Sequence, residues 1–296
     1  MYTPEIKESQ YLSAYCNKKV YTLDFSDSPC GTHKYLRSQK IIEEVIKNNY
    51  DRICLITAGN AGYALLQEVE KINAVREKKI FLSFVIDKNI SEKRVATLQS
   101  PYVTIIRKNL DEKFLTSTEL IELSKVNEDE EVFDATKFMF VDVSQIVDQL
   151  KEYTLDTALL PVGSGEFYLS LWSEIKRVHS GMKLIGVVPK DGHPLCARSL
   201  DSLEDFYSSY VFNTLTPSIS FSLLPNNVRN LLLQTIHEGC SLVDADNENI
   251  KKAHELSKQA GYDVEASSAI PLSQLQNEAL QGKNRILCIF TGRSRE

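Results

Sequence analysis

Residues 157–178 read TALLPVGSGEFYLSLWSEIKRV, and this stretch decides the class of fold. Its opening, TALLPV, is almost continuously apolar, with none of the alternation shown by a strand that has one wet face. Such a run is what a strand buried on both faces requires. It stops at Gly163-Ser164-Gly165, and a helix is expected from Glu166 to Val178. KLIGVV (residues 183–188) follows at once as the next strand. Strand, glycine turn, helix and strand in this order form a parallel unit.

The same grammar extends outward. RICLIT (52–57) ends at Ala58-Gly59-Asn60, and Leu65, Leu66, Val69 and Ile72 then recur at near-helical spacing. IFLSFVI (80–86), a helix over 91–98 and YVTII (102–106) come next. RILCIF (285–290) stops at Thr291-Gly292. The fold class is α/β, with mostly parallel sheets covered by helices on both faces. The acidic run NEDEE (127–131) reads as a solvated loop.

Composition removes whole classes of function. The 296 residues are 43% apolar and 25% charged, with a net charge of −6; this is a globular chain, neither disordered nor fibrous. An acidic pI of 5.6 with scattered lysines and arginines gives no basic face for nucleic acid. No apolar run approaches the ~18 residues of a membrane-spanning helix, and the N-terminal stretch lacks a basic-then-apolar leader. A cytoplasmic protein with no nucleic-acid or membrane partner is expected. Cys16, Cys30, Cys54, Cys196, Cys240 and Cys288 are dispersed without a Cys-x-x-Cys pair. The histidines form no His-Glu-x-x-His, so neither a disulfide framework nor a metal site is expected.

Glycine is scarce, 12 in 296, yet six fall in four short segments: Gly31, Gly59 with Gly62, Gly163 with Gly165, and Gly292. Three of these segments follow a predicted strand, where open α/β sheets place their ligands. Cys30-Gly31-Thr32-His33-Lys34 leads into a helix expected from about Tyr35 to Ile46. A lysine at a helix start gains nothing from the macrodipole, and the neutral amine favoured there is the form that adds to an aldehyde. Taken alone, it reads better as a surface lysine. Thr57-Ala58-Gly59-Asn60-Ala61-Gly62 offers small side chains beside backbone amides, and Asn60 can both donate and accept; an ordinary turn with Asn60 as helix cap reads equally well. Gly163-Ser164-Gly165 presents amides and a helix start to an anion. It matches neither GxGxxG nor Walker A, and Glu166 is an unfavourable neighbour for a phosphate. Thr291 can offer a hydroxyl to a heterocycle nitrogen or simply end its strand.

In this order and spacing the four segments resemble the tryptophan-synthase-β-like family (fold type II) of pyridoxal-phosphate enzymes. Gly31-Thr32-His33-Lys34 is similar to the family's Gly-Ser/Thr-Phe-Lys stretch, Thr57-Ala58-Gly59-Asn60 to its Ser/Thr-x-Gly-Asn loop, Gly163-Ser164-Gly165 to its phosphate loop, and Thr291 to its closing Ser/Thr. Within the family the likeness runs toward threonine synthase, through TAGNAGYALL, LPVGSGEFYLSLW, KLIGVVPKDGHPL and ILCIFTG.

The resemblance implies pyridoxal 5'-phosphate as cofactor and a two-domain fold: a large domain of residues 1–37 and 147–296 and an inserted α/β domain of 38–146, with the cofactor in the cleft. It implies Lys34 as Schiff-base residue and catalytic proton shuttle. Asn60 would bond the cofactor 3-hydroxyl, Gly163, Ser164 and Gly165 would hold its phosphate, and Thr291 would face its ring nitrogen. Thr57, Ala58 and Gly59 would cradle the carboxylate of an amino-acid substrate. The implied activity is lyase or synthase chemistry, a threonine synthase-like elimination or replacement at Cβ or Cγ. Serine/threonine dehydratase-like or cysteine synthase-like β-chemistry, and a non-catalytic binding or regulatory protein on the same scaffold, stay open. A homodimer is the family default. The chain departs from the pattern at Tyr35-Leu36 after the lysine, at Tyr63, at Glu166 where a third glycine is usual, and after Gly292.

Overall fold

The structure is a computed structural model describing residues 3–57, 59–110, 115–138, 141–178, 181–191, 193, 213–216, 218–220, 241–277 and 280–293. The chain divides into two compact units, Met1–Gly31 with Val143–Ser294, and Thr32–Asp142. The described elements are β1 (Ile6–Glu8), α1 (Gln10–Cys16), β2 (Lys19–Asp24), α2 (Lys34–Lys47), β3 (Arg52–Ile56), α3 (Asn60–Val75), β4 (Phe81–Asp87), α4 (Glu92–Ala96) and β5 (Val103–Lys108). There follow α5 (Ser117–Ser124), β6 (Val132–Asp134), α6 (Ser144–Leu150), β7 (Thr157–Pro161), α7 (Glu166–Val178), β8 (Lys183–Pro189), β9 (Ser241–Ala245), α8 (Asn247–Gln259), α9 (Ala266–Ala269) and β10 (Arg285–Phe290).

The first unit is built on a sheet of order β1-β2-β10-β7-β8-β9. All its pairings are parallel except β1 with β2, an antiparallel edge. Central β7 is buried at every residue, and β8 and β10 at all but their first, which is why these segments read as unbroken apolar runs. On one face Leu159, Ile185, Ile286, Cys288 and Phe290 pack with Leu12 of α1 and Ala253 and Leu256 of α8. Each leucine, isoleucine or phenylalanine among them contributes about 1.5–3 kcal/mol when taken from water. Burial raises the Cys288 thiol well above its ordinary value, so this cysteine is packing, not a nucleophile. Gly186 in β8 has a packing cause: a Cβ there would meet Leu242 Cδ2 and Val162 Cγ2 at 2.5 Å each.

The second unit carries a parallel sheet of order β5-β4-β3-β6. Its β3 turns Ile53 and Leu55 to a cluster with Ile41 and Val45 of α2 and Leu65 and Val69 of α3. Cys54 points the other way, to Val85, Leu120 and Val132. Two apolar faces therefore consume both parities of RICLI, as the period of two demands. The NEDEE segment differs from its expected solvated state at one residue. Glu130 accepts from Arg52 Nε at 2.9 Å, both side chains nearly buried, and the Arg52 guanidinium lies 5.4 Å from the Phe81 ring centroid. No helix of the described residues is long and apolar enough to cross a membrane.

Candidate active site

In the second unit, Lys34 is the first residue of α2. Its N–H donates to Thr32 Oγ1 at 3.4 Å, which caps the helix start, while buried His33 holds the cap position without a capping bond of its own. One turn on, the buried Arg37 donates from Nε to the Phe138 carbonyl at 2.8 Å and from Nη2 to the Ala135 carbonyl. Arg37 thus ties the helix carrying Lys34 to the segment after β6.

The Thr57–Gly62 turn joins β3 to α3. The buried Thr57 hydroxyl accepts from the Gly59 N–H at 3.2 Å and the Gly62 N–H at 3.0 Å. Gly59 caps the helix at φ 145°, a conformation open to glycine, and Asn60 is the first helical residue. The cap is therefore Gly59 and not Asn60. Gly62 is small because a Cβ there would lie 2.8 Å from Thr57 Cγ2. Thr57, Gly59 and Asn60 are brought together by this one turn; Ala58 lies outside the described residues.

In the first unit, Gly163, Ser164 and Gly165 link β7 to α7. Gly165 has φ +92° and its carbonyl accepts from the Leu169 N–H at 2.9 Å, so it closes the first helical turn. His193, fully buried, donates from Nε2 to the Gly163 carbonyl at 3.1 Å. Burial pushes this imidazole down to about 4, partly opposed by that hydrogen bond, so it is neutral and braces the loop. The Ser164 hydroxyl donates to the carboxylate of Glu166, whose side chain is 1% exposed at the first position of α7.

Thr291 stands at the end of β10, which pairs directly with β7, so the glycine loop and this threonine share the carboxyl edge of two neighbouring strands. The Thr291 N–H donates to Ser268 Oγ at 2.6 Å, and the Glu265 N–H to the Gly292 carbonyl at 3.2 Å. Glu265 itself accepts from Ser218 Oγ at 2.8 Å. Arg293 donates its N–H to the Gly31 carbonyl at 3.0 Å. Gly31, at φ +60°, leaves room for its side chain: a Cβ would sit 2.5 Å from Arg293 Nε. His193 and Ser268 are supports that residue pattern alone did not single out. Each acts on a backbone group far away in sequence, and no local spacing encodes that.

No family model and no curated protein sequence matches the chain. Solved structures do. A pyridoxal 5'-phosphate-dependent aspartate racemase superposes with TM-score 0.74 at 14% identity, over 99% of this chain and 90% of that one. The processed form of threonine deaminase isoform 2 from Solanum lycopersicum gives 0.76 at 16%, over 99% and 84%. The O-acetylserine-dependent cystathionine beta-synthase of Helicobacter pylori gives 0.74 at 18%, over 100% and 94%. The chain therefore has the α/β fold of the fold type II pyridoxal-phosphate enzymes.

Proposed function

We propose that the chain is a pyridoxal 5'-phosphate-dependent enzyme acting on a small amino acid by elimination or replacement at Cβ or Cγ. The observation that carries this reading is the glycine loop and Thr291 on the carboxyl ends of adjacent parallel strands, where such sheets receive ligands. The donor set suits the cofactor. The Gly163–Gly165 amides and the start of α7 suit a phosphate, a neutral threonine hydroxyl suits a pyridine nitrogen, and the Asn60 amide suits a phenolic oxygen.

When bound, the cofactor supplies the electron sink for breaking bonds at the amino-acid Cα. The residues do the rest. Lys34 Nζ would hold the cofactor through its aldehyde carbon and, once released as the free amine, would move the proton at the substrate Cα. The Thr57–Gly59 turn orients the substrate carboxylate. Thr291, held by Ser268, keeps a neutral group at the ring nitrogen, and His193 fixes the loop that grips the phosphate. The likeness of residues 57–66 and 160–172 to threonine synthase favours that enzyme's kind of elimination or replacement over racemisation, which would begin with the same proton.

The test is direct. Purified protein mixed with the cofactor and then desalted should stay yellow, and borohydride followed by peptide mapping should place the added mass on Lys34; a Lys34→Ala variant treated in the same way should be colourless. Wild-type protein that carries no visible band and no borohydride-fixed mass on Lys34 after incubation with excess cofactor and desalting would sink the reading. A non-catalytic binder on this scaffold is the second reading, favoured by the carboxylate of Glu166 beside the loop. A shift of the visible band on adding amino acids, absent in a binder, separates the two.

A further inference from the structure

The anion expected at the Gly163–Gly165 loop has a rival inside the chain. Glu166 is the first residue of a 13-residue helix, and its side chain is 1% exposed. Its carboxylate takes the hydroxyl of Ser164, the one side-chain donor within the loop. A buried carboxylate at a helix start draws on the same field, from free N–H groups and the aligned peptide dipoles, that would receive a phosphate. Two anions at one such end repel each other, and only one can take the Ser164 proton. The loop is also held in shape from behind, because fully buried His193 pins the Gly163 carbonyl and Gly165 adopts φ +92°. It cannot easily widen to accept both groups.

We propose that Glu166 is a resident anion of this loop, a built-in competitor that makes the site discriminate against a dianionic phosphate. Rotation of the Glu166 side chain away from Ser164 is then a condition for tight hold on a phosphorylated cofactor. The inference rests on the cofactor reading above and adds a control on it.

The experiment compares wild type, Glu166→Gln (same shape, no charge) and Glu166→Gly (side chain removed). Three probes are titrated into each: pyridoxal 5'-phosphate and phosphate-free pyridoxal, followed by the visible band, and inorganic phosphate, followed by thermal shift. The expected result is at least tenfold tighter binding of the phosphorylated cofactor by both variants, no more than a twofold change for pyridoxal, and stabilisation by inorganic phosphate in the variants only. Equal affinity of wild type and variants for the phosphorylated cofactor, with borohydride labelling of Lys34 in each, would overturn the inference and leave the cofactor reading intact. Phosphate stabilisation of the variants with no labelling of Lys34 by either aldehyde would do the reverse. If one variant fails to fold, the other decides, since each removes the charge.

Discussion

The hydroxyl of Ser268 accepts two backbone N–H groups at once, from Thr291 at 2.6 Å and from Gly292 at 3.1 Å. One fully buried side chain on the short helix α9 therefore fixes the end of β10. Ser268→Ala leaves both donors without this acceptor in a dry environment. The expected loss is about 2 kcal/mol of stability, read as a lower urea midpoint at unchanged slope. Cofactor retention should fall as well, since Thr291 loses its support. An unchanged midpoint would mean that the bond is not structural.

Gly31 and Arg293 form a second such relationship. Gly31→Ala meets both a left-handed backbone at φ +60° and the Arg293 side chain at 2.5 Å. A cost of about 1–3 kcal/mol is expected. Adding Arg293→Ala should recover the steric part and leave the backbone part. A double-mutant cycle by thermal unfolding measures the split, and strict additivity would contradict the contact.

Arg52 and Glu130 form a nearly buried ion pair at 2.9 Å, reinforced by Ser83 Oγ at 3.3 Å from Arg52 Nη1. Arg52→Met strands the Glu130 carboxylate and should cost about 3 kcal/mol. Because the pair is shielded, 1 M salt should leave this difference nearly unchanged, whereas a surface pair would be screened at a Debye length of about 3 Å. Unfolding of both proteins in low and high salt is the measurement.

His193 makes stability depend on pH with a definite sign. Its folded-state value lies at about 4, below the ordinary value of about 6.5, so the unfolded chain takes up the proton first. The stability due to the neutral imidazole is complete above about pH 6.5, declines as pH falls toward 4, and is level below that; the total is about 3 kcal/mol. His193→Gln should flatten this part of the curve. A variant that loses stability as steeply as wild type between these limits would contradict the assignment.

The main strands were legible because their cause is local. A segment such as TALLPV has no alternating set of polar residues to turn outward, only Thr157 at its start, so it must lie between two covered faces, and it does. The helix expected from about Tyr35 to Ile46 runs Lys34–Lys47, a frayed-boundary difference at each end. The short edge strands β1 and β6 were not legible, whereas the edge strand β5 was legible as YVTII. β1 has three residues and β6 three, too few for any period, and their pairing is supplied by β2 and β3 from elsewhere in the chain. Glu130 looked like one more solvated acid because its partner, Arg52, lies 78 residues away.

By itself, then, the order of residues determined the α/β class and set glycines at strand ends, since hydrophobic periodicity and the backbone freedom of glycine are properties of neighbours along the chain. Only the tertiary structure decided what supports those ends. Ser268 under Thr291, His193 behind Gly163 and Arg293 over Gly31 each join groups at least 20 positions apart. Such bonds follow from how strands and helices pack, because a buried N–H or carbonyl takes whichever partner the packing delivers.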